Sequence, residues 1–200
     1  MDRKTFINTY SDLVIESCNK NKGLFASVKM AQMVVETNSG KSYLFIECNN
    51  AFGIKADNSW TGAVCYANDD KPNEAFRKYY SVLESINDHS DFLKTNPRYN
   101  AVFTATTPEQ QAYELKAAKY ATAHNYATML ISIISQNNLK DLDKQLISQT
   151  TNVPNSTTSV YASNDWIIVP IFIIITLISS YFIYKSLKVN NEQSIKGNSI

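Results

Sequence analysis

A single acidic residue, Glu36, stands where the chain could perform acid–base chemistry. It ends an apolar run that is predicted to be helical, and the predicted turn Thr37-Asn38-Ser39-Gly40 follows it. Burial against Val34 and Val35 disfavours a charged carboxylate, and so does the negative end of the helix dipole. Both effects raise the pKa of the carboxyl group, and a general acid must be protonated near neutral pH. Glu36 is therefore a candidate general acid, although a glutamate at a helix end is more often only solvated.

The other residue types that often carry chemistry form no recognisable pattern. Cys18, Cys48 and Cys65 are widely spaced without a CxxC pair, so buried free thiols are expected in preference to a disulfide. The two histidines, His89 and His124, lack the spacing of zinc ligands and are expected at the surface or at a helix end. The sequence therefore predicts no metal site and no cofactor, and it contains no phosphate-binding loop or nucleophilic triad.

The hydrophobic pattern predicts a mostly helical domain around Glu36. Helices are predicted from near Phe6 to before Gly23, over 26–37, from a capped start at Thr107-Pro108, and over 124–136. The polar run 67–73 lies between two short segments, 60–66 and 75–80, and this arrangement predicts a β-hairpin or a small irregular lobe. The fold class predicted for residues 1–149 is α+β, mostly helical with a minor β lobe.

Six segments of the chain resemble, in order, the motifs of family 73 glycoside hydrolases, the peptidoglycan N-acetylglucosaminidases. They are AQMVVETNSGKS (31–42), NNAFGIK (49–55), WTG (60–62), FRKY (76–79), DFL with PRY (91–93 and 97–99), and YAT with YA (120–122 and 126–127). Each segment is weak alone, but six in order over about residues 6–143 are specific. The resemblance implies a lysozyme-like fold and hydrolysis of the β-1,4 bond after N-acetylglucosamine in peptidoglycan glycan strands.

The resemblance also implies roles for individual residues of the site. Glu36 falls on the catalytic acid of the family, and Tyr120 on its active-site tyrosine. Phe52 and Trp60 are expected to line the saccharide groove, since aromatic faces cover the apolar faces of sugars. Two further substrate-binding candidates are Tyr126 and Asn50, although Asn50 is also expected to form a turn.

The second catalytic carboxylate is an open question at the sequence level. Glycosidases commonly pair two carboxyl groups, and in this family the second one lies in the β lobe. Glu74 is preferred here, Asp70 is next and Asp69 is last. If none of them serves, the N-acetyl group of the substrate is the alternative nucleophile.

The sequence departs from the family motifs at several positions. Asn38 and Ser39 replace Gly and Trp of the first motif, and Lys119 replaces the Gly before Tyr120. These departures motivate a second hypothesis, a glycan-binding or scaffold module with impaired catalysis. A third hypothesis is a lytic transglycosylase, which uses a single acid and leaves an anhydro product.

The last quarter of the chain predicts a membrane anchor. Residues 166–184 carry no charge, and as a helix they would be about 28 Å long, which matches the hydrocarbon core of a bilayer. Residues 150–165 have the composition of a linker, and residues 185–200 form a polar tail. Lys185 and Lys188 follow the span, whereas residues 145–165 contain no Lys or Arg. The positive-inside rule then predicts a single-pass protein of the bacterial inner membrane, with its catalytic domain on the extracytoplasmic side.

The charge balance of the chain argues against a nucleic-acid partner. The formal net charge is +1, with 19 basic and 18 acidic residues. A nearly neutral chain has no overall field that would attract nucleic acid. No nucleic-acid partner is therefore predicted, and the sequence identifies no protein partner.

Overall fold

The computed structural model of the protein describes residues 1–69 and 71–151, with side chains up to residue 146. Seven α-helices, one 3₁₀ helix and two strands lie in these ranges. In chain order they are α1 (Arg3–Lys20), α2 (Ala26–Glu36), α3 (Tyr43–Cys48), β1 (Val64–Ala67), β2 (Glu74–Arg77), α4 (Val82–Thr95), the 3₁₀ helix (Pro97–Thr104), α5 (Pro108–Ala117), α6 (Tyr126–Gln136) and α7 (Lys140–Thr151). The predicted fold class, mostly helical with a small two-stranded lobe, is confirmed for these residues.

Helix α2 is the centre of the helical part. It packs against α1, α5, α6 and α7, and nine of its eleven residues, from Ala26 to Val34, are buried. The hydrophobic cluster around it draws on α1, α4, α5 and α6 as well. A helix covered on so many sides holds its C-terminal residue, Glu36, in a fixed position.

The predicted helix starts follow from their caps. The side chain of Asp2 accepts a hydrogen bond from the backbone N–H of Thr5 and begins α1. Thr107 Oγ1 accepts from the backbone N–H of Gln110, and Pro108 takes the first helical position of α5. Both interactions satisfy backbone donors that have no partner inside the helix.

The hairpin forms where the sequence predicts it, but it is shorter. Its antiparallel register pairs Val64 with Arg77 and Ala67 with Glu74, and an isolated bridge joins Lys55 to Phe76. A salt bridge between Arg77 and Asp88, with both oxygens 2.9 Å from Nη1, fastens the hairpin to α4. The Tyr79 hydroxyl donates to the same carboxylate over 2.7 Å. These contacts fix the small lobe against the helices.

The expectation of free thiols is wrong for two of the three cysteines. Cys48, the last residue of α3, forms a disulfide with Cys65 of β1, and their Cα atoms are 6.2 Å apart. Only Cys18 in α1 is a free, buried thiol. The sequence spacing of 17 residues gave no sign of the pairing, because the contact between α3 and the hairpin exists only in the folded chain.

The predicted anchor and its neighbours lie almost entirely outside the described residues. Helix α7 extends to Thr151, which is two residues beyond the predicted domain end at 149. No helix within residues 1–69 and 71–151 has both the length and the apolar character needed to cross a bilayer. The span at 166–184 and the tail at 185–200 stay predictions.

Candidate active site

Glu36 reaches the surface because the chain turns sharply behind it. Asn38, Ser39 and Gly40 all take left-handed backbone angles, with φ of 49°, 56° and 81°. Thr37 stabilises the turn: its hydroxyl donates to Met33 O over 2.6 Å and accepts from Gly40 N over 2.8 Å. A side chain at Gly40 would collide with the ring of Phe6, at 2.8 Å from Cδ2.

This turn explains one departure from the family motif. Asn38 stands where the family has glycine, and asparagine is among the few residues that tolerate a left-handed backbone. The replacement therefore keeps the conformation that ends α2.

The carboxyl group of Glu36 lies in a largely desolvated environment. Burial raises its pKa to about 7, while the hydrogen bond from Tyr126 lowers the pKa and the charge of Asp69 raises it further. The Tyr126 hydroxyl donates to Glu36 Oε1 over 3.0 Å and accepts from Gln32 Nε2 over 3.2 Å. The predicted desolvation is thus the largest cause of the raised pKa. A substantial fraction of Glu36 carries a proton at neutral pH.

Glu36 lines an open cleft of about 740 Å³ between the helical part and the hairpin. Its lining includes residues 42–44 at the start of α3, residues 52–55, and residues 67–69 of the hairpin. Phe92, Arg98, Tyr99 and residues 120–122 line it as well. A groove of this size, with mixed polar and apolar walls, suits a saccharide chain.

A column of rings supports the cleft beside Glu36. Phe52 lines the cleft and stacks on His89, with ring centroids 3.8 Å apart and planes at 6°. Tyr120 meets the edge of His89 at 5.6 Å and stacks near Tyr126 at 5.8 Å. The Tyr120 hydroxyl donates to the carbonyl of Phe52 over 3.5 Å. Tyr120, Tyr126 and Phe52, all predicted site residues, are therefore brought together next to Glu36.

Burial fixes the protonation of these rings. It raises the pKa of Tyr120 and of Tyr126 well above the usual tyrosine value, so both hydroxyls remain available as hydrogen-bond donors. His89 is fully buried, which corrects the expectation of a surface position. Its burial, and then the charge of Lys29, lower the pKa of His89 well below the usual value, so the ring is neutral.

The candidate second carboxylates differ in whether they line the cleft. Asp69, ranked last on the sequence, lines the cleft and acts on the pKa of Glu36. Glu74, the preferred candidate, is absent from the residues that line the cleft, and its carboxylate binds Lys55 Nζ at 3.0 and 3.1 Å. The hydrogen bond from Lys55 lowers the pKa of Glu74. Lys55 also lies 3.0 Å from Asp69 Oδ2, so it holds both acids. Asp70 lies outside the described residues.

Asn50 and Trp60, two predicted substrate-binding residues, take supporting positions instead. Asn50 is 1 % exposed; its Nδ2 donates to the carbonyls of Ile54 and Arg77, and its Oδ1 accepts from Ile54 N. Trp60 donates from Nε1 to Ala63 O, and the Arg77 guanidinium lies 4.7 Å from its ring. Neither residue is among those that line the cleft. Asn50 instead joins Ile54 to Arg77 of the hairpin, and Trp60 packs against the same arginine.

Sequence reasoning gave no role to several residues of the cleft, among them Tyr43, Arg98 and Tyr99. Tyr43 is 55 % exposed. Arg98 and Tyr99 belong to a motif segment that resembles the family, but the motif gave them no role. Tyr43 left no signal, because only the fold turns the start of α3 toward the cleft. Within residues 1–69 and 71–151, no three His, Cys, Asp or Glu side chains converge as metal ligands do.

Comparison with known proteins identifies the family. Residues 13–139 match the model of the glucosaminidase family, described as mannosyl-glycoprotein endo-beta-N-acetylglucosaminidase. The peptidoglycan hydrolase FlgJ of Salmonella typhimurium is 37 % identical over an alignment of 147 residues that covers 68 % of this chain and 46 % of that protein. The exo-glucosaminidase LytG of Bacillus subtilis is 26 % identical over an alignment of 129 residues that covers 59 % of this chain and 46 % of LytG. The chain spans about half the length of these curated relatives.

Solved structures show the same fold. The glycoside hydrolase domain of Salmonella typhimurium FlgJ superposes with a TM-score of 0.61 at 37 % identity, over 75 % of this chain and 95 % of that domain. The catalytic domain of the autolysin Auto from Listeria monocytogenes gives a TM-score of 0.61 at 31 % identity, over 70 % of this chain and 87 % of that domain. The predicted resemblance is confirmed, and the chain belongs to the glucosaminidase family of glycoside hydrolases, family 73.

Proposed function

We propose that this protein is a peptidoglycan hydrolase that cleaves the β-1,4 bond after N-acetylglucosamine, with Glu36 as its general acid. The observation that carries the proposal is a carboxyl group with a pKa of about 7 that faces an open cleft. The named activities of FlgJ and LytG support peptidoglycan as the substrate. A glycosidic oxygen is a weak base, so its departure requires a proton from a group such as Glu36.

Glu36 protonates the leaving oxygen while Tyr126 holds the carboxyl in place. As the proton leaves, the carboxylate that forms accepts the hydrogen bond from the Tyr126 hydroxyl, at 3.0 Å. A hydrogen bond to the charged form stabilises the product of the proton transfer. Gln32 orients that hydroxyl by donating to its oxygen. Phe52 and Tyr120 give the cleft an aromatic wall beside the reacting bond.

Asp69 is the proposed partner of Glu36 on the hairpin. Among the carboxylates of the described hairpin residues, that of Asp69 both lines the cleft and interacts electrostatically with Glu36. Its Oδ2 lies 3.0 Å from Lys55 Nζ, and in the proposed mechanism it acts as the base or nucleophile. The alternatives are Glu74, Asp70 and the N-acetyl group of the substrate.

Product analysis tests the proposal directly. The full chain in detergent is incubated with purified peptidoglycan, and new chain ends are identified by mass spectrometry. New reducing N-acetylglucosamine ends are expected, and Glu36→Gln is expected to release none. Anhydro-muramyl ends would instead identify a lytic transglycosylase. Binding without release by the wild type would identify the scaffold module.

A matched pair of variants tests the second carboxylate. Asp69→Asn and Glu74→Gln each remove one charge from the partners of Lys55, but only Asp69 lines the cleft. Asp69→Asn is expected to lower kcat about a hundredfold or more, on the order of the contribution of a general base. Glu74→Gln is expected to change kcat little. The reverse result would restore Glu74. Full activity in both would leave Asp70 or the substrate amide.

The membrane anchor belongs to the same proposal. Residues 166–184 carry no charge and are followed by Lys185 and Lys188, which supports a single span with the domain outside the cytoplasm. The disulfide between Cys48 and Cys65 supports the same side, since disulfides persist in oxidising compartments. Protease digestion of intact spheroplasts tests the topology. Removal of the 185–200 tail from outside would contradict it.

A further inference from the structure

Among the described residues that line the cleft, two carry a positive charge, and their surroundings differ. Lys55 is neutralised by Asp69 and Glu74, each 3.0 Å away. Arg98 forms no ion pair with any carboxylate of residues 1–69 and 71–146. Of the two cationic side chains, Arg98 is therefore the one that can accept an anion from the substrate.

The guanidinium of Arg98 is held in place without using up its donors. Its Nη2 donates to the Tyr99 hydroxyl over 2.6 Å, and its carbon lies 4.7 Å from the centre of the same ring. Tyr99 is 1 % exposed and packs against Phe92 and Tyr120, with ring centroids 5.7 and 6.1 Å away. An arginine has five N–H donors in a planar fork, so the bond to Tyr99 leaves most of them unused at a residue that lines the cleft. The geometry of such a fork matches that of a carboxylate.

The chemistry of the proposed substrate supplies carboxylates on one sugar only. N-acetylglucosamine is uncharged, whereas N-acetylmuramic acid carries a lactyl arm that ends in a carboxylate or in a stem peptide with carboxylates of its own. We infer that Arg98 binds a carboxylate of this muramyl arm and so selects peptidoglycan over uncharged N-acetylglucosamine polymers. The inference rests on the proposed function, because it assigns a specificity-determining residue to the same cleft.

Rates on charged and uncharged glycans test the inference. The full chain, Arg98→Ala and Arg98→Lys are compared on soluble peptidoglycan fragments and on an N-acetylglucosamine hexamer. Lys94→Ala is the control, since Lys94 is an exposed cation at the end of α4 that does not line the cleft. Arg98→Ala is expected to lower kcat/KM about tenfold on the fragments, mainly through KM, and to leave the hexamer unchanged. Arg98→Lys is expected to restore part of the loss, because a lysine keeps the charge but not the fork.

A third substrate identifies which carboxylate is bound. Glycan strands freed of stem peptides by an amidase carry only the lactyl carboxylate. A tenfold effect that persists on these strands identifies the lactyl carboxylate, and one that disappears identifies the stem peptide. An equal loss on fragments and hexamer would overturn the inference, since Arg98 would then support the fold of the cleft. An equal effect of Lys94→Ala would overturn it as well, because the attraction would be nonspecific.

A binding measurement separates this inference from the proposed function. If the wild type cleaves no glycan, the proposed function fails, but sedimentation with insoluble peptidoglycan and with chitin still tests Arg98. Weaker binding of Arg98→Ala to peptidoglycan alone supports the inference. Unchanged binding to both polymers would overturn it.

Discussion

Replacing Tyr126 with phenylalanine should move the pH profile of the reaction in a direction that the structure fixes. In the proposed mechanism Glu36 acts as an acid, so activity is present below its pKa and is lost as the pH rises through it. Burial raises that pKa to about 7, while the hydrogen bond from Tyr126 opposes the rise. Tyr126→Phe removes the opposing effect and leaves the burial. The alkaline limb of kcat/KM should therefore shift to higher pH.

The size of the shift follows from the strength of one hydrogen bond. A hydrogen bond to a charged acceptor contributes about 1.5 to 3 kcal/mol, and the lower figure applies because Glu36 is partly exposed. At about 1.4 kcal/mol per pH unit, the midpoint should rise by about one unit, from near 7 to near 8. The wild type and the variant are compared by kcat/KM between pH 5 and 9, which reports the free enzyme.

Tyr113→Phe is the matched control for this experiment. Tyr113 lies on α5, is 54 % exposed and does not line the cleft, so the same loss of a hydroxyl should leave the midpoint unchanged. The height of the profile is expected to fall in Tyr126→Phe, because the carboxyl loses an orienting contact. The role of Tyr126 is tested by the pH midpoint of the profile and not by its height. A midpoint that stays at the wild-type pH or moves lower would refute the role of Tyr126.

Three further changes should have measurable effects on stability. Reduction of the Cys48–Cys65 disulfide opens the loop that the bond closes across a sequence separation of 17, and it should lower the free energy of unfolding by about 3 kcal/mol. Denaturant titration with and without dithiothreitol measures this loss, and a variant with serine at both positions should not respond to the reductant. Arg77→Met leaves the partly buried Asp88 without its ion pair and should lower the free energy of unfolding by about 3 kcal/mol in the same titration. A loss below about 0.5 kcal/mol, on the order of an exposed pair, would contradict the view that this salt bridge holds the hairpin against α4. Lys119 has a φ of 57°, so Lys119→Gly should raise the stability by about 1 kcal/mol, and a lower melting temperature would count against strain there.

The sequence predicted the helix that ends at Glu36 well because several independent signals agree there. The apolar run before Glu36 predicts the helix, and the turn residues predict its end, as α2 ending at Glu36 confirms. The resemblance to family motifs then predicted the fold class and the place of Tyr120 and Tyr126. Local pattern and family resemblance together were enough for the elements that carry the acid.

What the sequence could not predict depends on contacts between distant segments. His89 is buried because Phe52, 37 positions earlier, stacks on it, and no local pattern records that contact. Asp69 and Glu74 are both acidic residues of one hairpin, and only the fold shows which of them faces the cleft. The same holds for the Cys48–Cys65 pair. Each of these misses concerns tertiary placement rather than local structure.

The burial of α2 has a consequence for how substitutions accumulate near the active site. Nine consecutive residues before Val35 are enclosed by four other helices, so most replacements there would unfold the domain before they altered the chemistry. In a saturation mutagenesis screen, residues 26–34 should tolerate few replacements whether or not Glu36 is intact. Residues 31–34, which belong both to this buried stretch and to the first motif segment, would then be retained in a lineage that had already lost catalysis. Recognising descent from that segment and demonstrating turnover are separate tasks for this protein.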